Sequence, residues 1–174
     1  NISTTDINGI VPRQFEAPED SMLNCFLSFL NALNTDFPAT LVIAANARRC
    51  YSSAYGRTPE SIKSNPDKEI LGWLSAEFQL FKTIENKRYS ERIKTPFKTV
   101  EELVETANTI LNRRKSRAGR SLEHHLEEIF KTFELAYDTQ AVTEGNKKPD
   151  FLFPGAEAYL DKGFNEKKLM FLAA

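Results

Sequence analysis

The chain has 174 residues, 41% hydrophobic and 27% charged, which suits one packed domain. Its formal net charge is -1, so no global basic field marks it for nucleic acid, and any such role must rest on local charge. No apolar run approaches the roughly 20 residues of a helical membrane span, and no signal peptide opens the sequence.

Residues 1–18 are polar, with Pro12 and Pro18, and read as a lead-in or linker; residues 19–174 read as the domain proper. Glu19-Asp20-Ser21 is an acidic helix start. Met22, Cys25, Phe26, Phe29, Leu30 and Leu33 follow at helical spacing, and Phe37-Pro38 ends the segment. A second helix is predicted over Leu41 to Tyr51, although LVIAA also fits a short strand. Ser52 to Pro66, with Gly56, Pro59 and Pro66, reads as a loop. Cys25 and Cys50 read as small buried thiols rather than a disulfide, which points to an intracellular chain.

Asp67 is expected to cap a third helix. Its wide stripe (Ile70, Leu71, Trp73, Leu74, Phe78, Phe81 and Ile84) predicts burial on more than one side. Pro96 ends it. Thr99 and Glu102 have the spacing of a capping box. They open a fourth helix with Val100, Leu103, Val104, Ala107, Ile110 and Leu111 as its core face. A basic loop is expected next, and then a fifth helix with Ser121 as N-cap. Thr139 to Thr143 and Pro149 to Phe153 are strand candidates joined by the turn Glu144-Gly145-Asn146. Lys168 to Ala174 reads as a buried strand. Helices followed by strands favour an α/β fold with a sheet built late in the chain.

Three constellations could carry chemistry. Arg113, Arg114, Lys115, Arg117 and Arg120 put five positive charges within eight residues, with small residues between them. Helix-end decoration explains the first two; contact with a phosphate backbone suits the density of all five. In SLEHHLEE, Glu123 falls in the first helical turn, where the dipole keeps a carboxylate ionised. His124 and His125, the two histidines, read as partly exposed polar residues, since no further ligands at zinc spacing lie nearby. In KKPDFLFP, Asp150 stands at the head of a strand, where it and a helix carboxylate could share Mg²⁺. Taken alone, each has a plainer structural reading.

Together and in this order, ILNRRKSRAGRSLEHHLEEIF, GNKKPDFLFPG and LMFLAA resemble the PD-(D/E)xK nucleases, and within them the C-terminal catalytic domains of EcoRII-like type II restriction endonucleases. The resemblance runs from about Leu71 to the end. It implies a restriction-endonuclease-like mixed sheet flanked by helices. It also implies a Mg²⁺-dependent enzyme, active as a homodimer in the bacterial cytoplasm, that cuts double-stranded DNA at CCWGG and leaves 5′-phosphate ends. Glu123 and Asp150 become the acidic active-site and metal-binding residues, and the arginines and Lys115 the DNA grip. A small residue, Ala173 or Ala174, stands where other members carry the second acid. The expected lysine would come next, so a chain ending at Ala174 is expected to be incomplete and inactive. Glu166-Lys167-Lys168 is a literal ExK but precedes the apolar run, and reads better as a solvated charge run. A DNA-binding module without chemistry, or a structure-specific repair nuclease on the same scaffold, are the alternatives.

Overall fold

The computed structural model describes residues 17–174, so the lead-in lies almost wholly outside the described residues. Helix α1 (Pro18–Asn31) begins with a proline at its first position and acids in its first turn, as helix N-termini favour. Helix α2 (Thr40–Tyr55) settles LVIAA as helix and ends at Gly56, whose φ of 60° is the left-handed C-cap geometry glycine adopts freely. The region expected to be a loop holds a short helix, α3 (Pro59–Ser64), capped by Thr58. Helix α4 (Pro66–Lys94) follows at once. Its cap is Asn65, whose side chain accepts the Lys68 amide at 3.2 Å, and not Asp67, which lies in the first turn.

The largest departure is α5 (Val100–Thr132), a single helix of 33 residues running straight through the expected basic loop. One glycine costs a helix only about 1 kcal/mol, and the surrounding Arg, Lys and Ala are strong helix formers. Contacts with α4 outweigh that cost. The Arg114 guanidinium binds both oxygens of Glu85, at 2.7 and 2.8 Å. Arg113 bonds the Tyr89 hydroxyl and lies 4.4 Å from the Phe37 ring centroid. Ser121 is therefore mid-helix and buried rather than an N-cap. Thr99 does cap the helix, accepting the Glu102 amide at 3.2 Å, while Glu102 accepts the Lys98 amide at 2.9 Å.

The same contacts overturn the expected core face in the first half of α5. The half-buried side toward α4 carries Glu102, Thr106, Ile110, Arg113 and Arg117. Val100, Leu103, Val104 and Leu111 are 47–69% exposed. Polar pins such as Arg92–Glu102, at 2.6 Å, fix the rotation of the helix and turn its apolar stripe outward.

After α5 come β1 (Asp138–Thr139), β2 (Phe151–Phe153), α6 (Ala156–Leu160) and β3 (Met170–Leu172). The chain is thus mostly helical with a small late sheet. The described strands are all antiparallel, in the order β1-β2-β3, where mixed directions were expected. β1 is shorter than predicted because Gln140 takes a positive φ of 53°. The predicted turn is a 3-10 turn over Glu144–Asn146. β3 is not buried: as an edge strand it leaves Met170 and Phe171 about half exposed, and Glu166–Lys168 before it forms a 3-10 turn. The core joins Phe26, Ile43, Ala47, Trp73, Leu80, Phe81 and Ile129 from α1, α2, α4 and the end of α5. Gly72 lets α2 and α4 approach closely: a Cβ there would collide with the Tyr51 ring and hydroxyl. Among the described residues no helix is long and apolar enough to cross a membrane.

Cys25 and Cys50 are disulfide-bonded, which corrects the free-thiol reading; the argument from free thiols to an intracellular compartment falls with it. Packing of α1 on α2 brings their Cα atoms to 5.6 Å, well within bonding range. Closing a loop across 25 positions is worth about 3 kcal/mol by chain entropy. Reduction with dithiothreitol is expected to lower stability by about that amount, read as a shift in the urea midpoint. An unchanged midpoint on reduction would contradict the bridge.

Candidate active site

The aspartate of KKPDFLFP is held from both sides. Continuing the strand register one step beyond the paired residues sets Asp150 between Gln140 and Ala173. Its Oδ1 accepts from Gln140 Nε2 at 2.8 Å, and its Oδ2 accepts from the Ala174 amide at 2.8 Å. The rest of the strand explains the placement. Phe151 and Phe153 are buried on one face, each 5.0 Å from the Phe130 ring of α5 and close to Tyr137. This aromatic cluster fastens β2 to the end of α5, the helix that carries Glu123.

Glu123, on α5, feels the charge of Asp150. It is half-buried, and burial followed by repulsion from Asp150 raises its carboxyl above the ordinary range, against an opposing pull from Arg120. The structure thus brings the two carboxylates within electrostatic reach of each other. A pair of hard oxygen donors suits a divalent cation that keeps several waters. Among the described residues, no group of three or more His, Cys, Asp or Glu side chains forms a fuller metal cage.

The raised carboxyl has a thermodynamic consequence. A carboxyl whose folded pKa is raised holds its proton more tightly in the folded state, so its contribution to stability is complete below the unfolded value near 4.5 and declines as pH rises through the folded value. Glu123→Gln removes that decline. The variant is expected to melt above wild type at pH 7 and level with it below pH 4. A difference in Tm that does not widen with pH would contradict this.

The basic cluster is only partly free. Arg113 and Arg114 are engaged by α4 as described. Arg117 lies 3.8 Å from Glu77 Oε1 and stacks against Phe78 and Phe81. Lys115 and Arg120 are exposed with no ion pair among the described residues. Arg120, one turn before Glu123, acts on its carboxyl from within electrostatic reach.

The histidines differ from expectation. His124 is half-buried, with Nε2 3.3 Å from the Thr40 hydroxyl. His125 is fully buried. Its Nε2 lies 2.8 Å from Glu77 Oε2, and its Nδ1 3.2 Å from Arg48 Nη1. A guanidinium can only donate, so Nδ1 is the acceptor and Nε2–H faces the carboxylate. Burial, the largest influence, lowers the imidazole pKa and favours this neutral form. Glu77, itself fully buried, accepts from Ser121 Oγ at 2.7 Å. Ser121 and His125 lie one turn apart and face α4. Glu123, two residues from each, is turned about 200° away. The clamp therefore fixes which way Glu123 points.

Sequence reasoning missed Glu77 and Glu85. The available signal was an acid directly beside a core position, Glu77 after Ala76 and Glu85 after Ile84, on a helix whose later neighbour is rich in arginine.

A family model described as EcoRII C terminal matches residues 81–174, more than half of the chain. The type II restriction enzyme EcoRII of Escherichia coli is 46% identical over 110 residues, covering 63% of this chain and 27% of that enzyme. The chain therefore spans well under half the length of this relative. With its family match beginning in α4 and running through both carboxylates to the last residue, the chain belongs to the EcoRII C-terminal family of restriction endonucleases.

Proposed function

We propose that this chain carries part of the catalytic centre of a Mg²⁺-dependent type II restriction endonuclease that cleaves double-stranded DNA at CCWGG, leaving 5′-phosphate and 3′-hydroxyl ends. The observation that carries the proposal is the convergence of Glu123 and Asp150, one from α5 and one from the head of β2, in a chain related to EcoRII. Asp150 and Glu123 would hold the metal, which when bound supplies an activated water and charge neutralisation at the scissile phosphate.

The chain's own residues supply the orientation. Gln140 and the Ala174 amide aim the Asp150 carboxylate, and Phe130 ties its strand to α5. The clamp of Glu77, Ser121 and His125 turns Glu123 toward it. Arg120, exposed one turn before Glu123, would contact a DNA phosphate beside the pair. Ala173, opposite Asp150, takes the place of the family's second acid, with Glu123 compensating. A near-symmetric DNA site calls for two chains related by a two-fold axis. A role in DNA binding alone rested on five free cations, and three of those are engaged within the fold.

The test is digestion of a plasmid by the complete protein. Discrete fragments ending at CCWGG with Mg²⁺, and none with chelator, are expected. A smear or structure-dependent nicking would point to the repair nuclease, and binding without cutting to the DNA-binding module.

A further inference from the structure

The first half of α5 shows solvent an apolar stripe with no neighbour among the described residues. Val100, Val104, Ala107 and Leu111 alternate at spacings of four and three, and all are exposed. This is the seam spacing of paired helices. Charge along the helix is segregated as well. The only charged residues from Val100 to Ile110 are Glu101, Glu102 and Glu105, and the only ones from Leu111 to Arg120 are the five cations. Glu101 and Lys115 are exposed and carry no ion pair among the described residues.

We propose that this stripe is an interface between two copies of the chain, with the two α5 helices packed antiparallel about a two-fold axis near Ala107 and Asn108. Such an interface must be self-complementary. An antiparallel pair centred there sets Val104 against Leu111 of the other copy, and Glu101 near Lys115 of the other copy, twice over by symmetry. A parallel pair would instead set acid beside acid and base beside base. The antiparallel arrangement also opposes the helix dipoles favourably. The inference specifies the surface for the two-fold pair proposed above and rests on that reading only for its biological use, since association can be measured without DNA or metal.

The test is analytical ultracentrifugation of the complete protein without DNA, at low salt, with circular dichroism confirming that each variant is folded. A concentration-dependent dimer is expected. Glu101→Lys should weaken it about tenfold through two like-charge contacts, and Lys115→Glu should do the same. The double variant, Glu101→Lys with Lys115→Glu, should recover most of the loss. Leu111→Glu should leave a folded monomer. A wild-type chain that is monomeric throughout would overturn the proposal, as would a dimer indifferent to Leu111→Glu. A double variant no tighter than either single one would overturn the antiparallel pairing. None of these results bears on whether Asp150 and Glu123 cut DNA.

Discussion

Asp150→Ala is expected to lower Mg²⁺-dependent cleavage of CCWGG DNA by about a thousandfold or more, comparable to losing a principal electrostatic element of an active site. DNA affinity measured in the absence of metal should stay within a few-fold of wild type. The fold should tolerate the change. Asp150 sits at the entrance of β2, and both of its hydrogen-bonding partners, the Gln140 side chain and the Ala174 amide, can turn to water. The hydrophobic attachment of the strand through Phe151 and Phe153 is untouched. Single-turnover cleavage and filter binding on the same preparations of the complete protein separate the two effects. Parallel loss of binding and cleavage would assign Asp150 to DNA contact instead, and unimpaired cleavage would remove it from the site.

His125→Leu is expected to cost about 3 kcal/mol of stability. The substitution keeps the volume roughly constant but removes Nε2, 2.8 Å from a fully buried carboxylate, and takes the Nδ1 acceptor from Arg48. Hydrogen bonds to charged groups are worth about 1.5–3 kcal/mol, and a buried charge left short of a donor adds to the loss. Glu77 would retain Ser121 at 2.7 Å and Arg117 at 3.8 Å, so complete unfolding is not expected. Adding Glu77→Leu to His125→Leu should restore part of the loss, because the stranded charge goes with it. Urea denaturation of the single and double variants reads this directly. A double variant less stable than His125→Leu would mean that Glu77 contributes mainly through contacts other than the one to His125.

The helices were legible in the sequence wherever their boundaries rest on local chemistry. Glu19 and Asp20 in the first turn of α1 and the cap Thr99 act within a few residues and need no tertiary partner, whereas α1 ends at Asn31, short of the expected break at Phe37-Pro38. The pairing of Asp150 with Glu123 was legible only through the combined resemblance of three segments. Neither residue type nor spacing alone brings a strand head to a helix flank; the rings of Phe130, Tyr137, Phe151 and Phe153 do. What the sequence hid was long-range compensation. Gly119 and the density of like charge argue for a break in α5, and the break fails because Glu85 and Glu77, on another helix, take up Arg114 and Arg117. The same compensation buries His125, which on local grounds is a surface residue. The Cys25–Cys50 bridge was hidden for a related reason: it depends on how α1 docks on α2.

The claim that Glu123 and Asp150 share one divalent cation is tested most directly by binding of Mn²⁺, followed by its paramagnetic relaxation, in the presence of uncleavable DNA. The account predicts one site per chain, weakened at least tenfold by either Asp150→Asn or Glu123→Gln. Mn²⁺ binding that survives unchanged in both variants would contradict it.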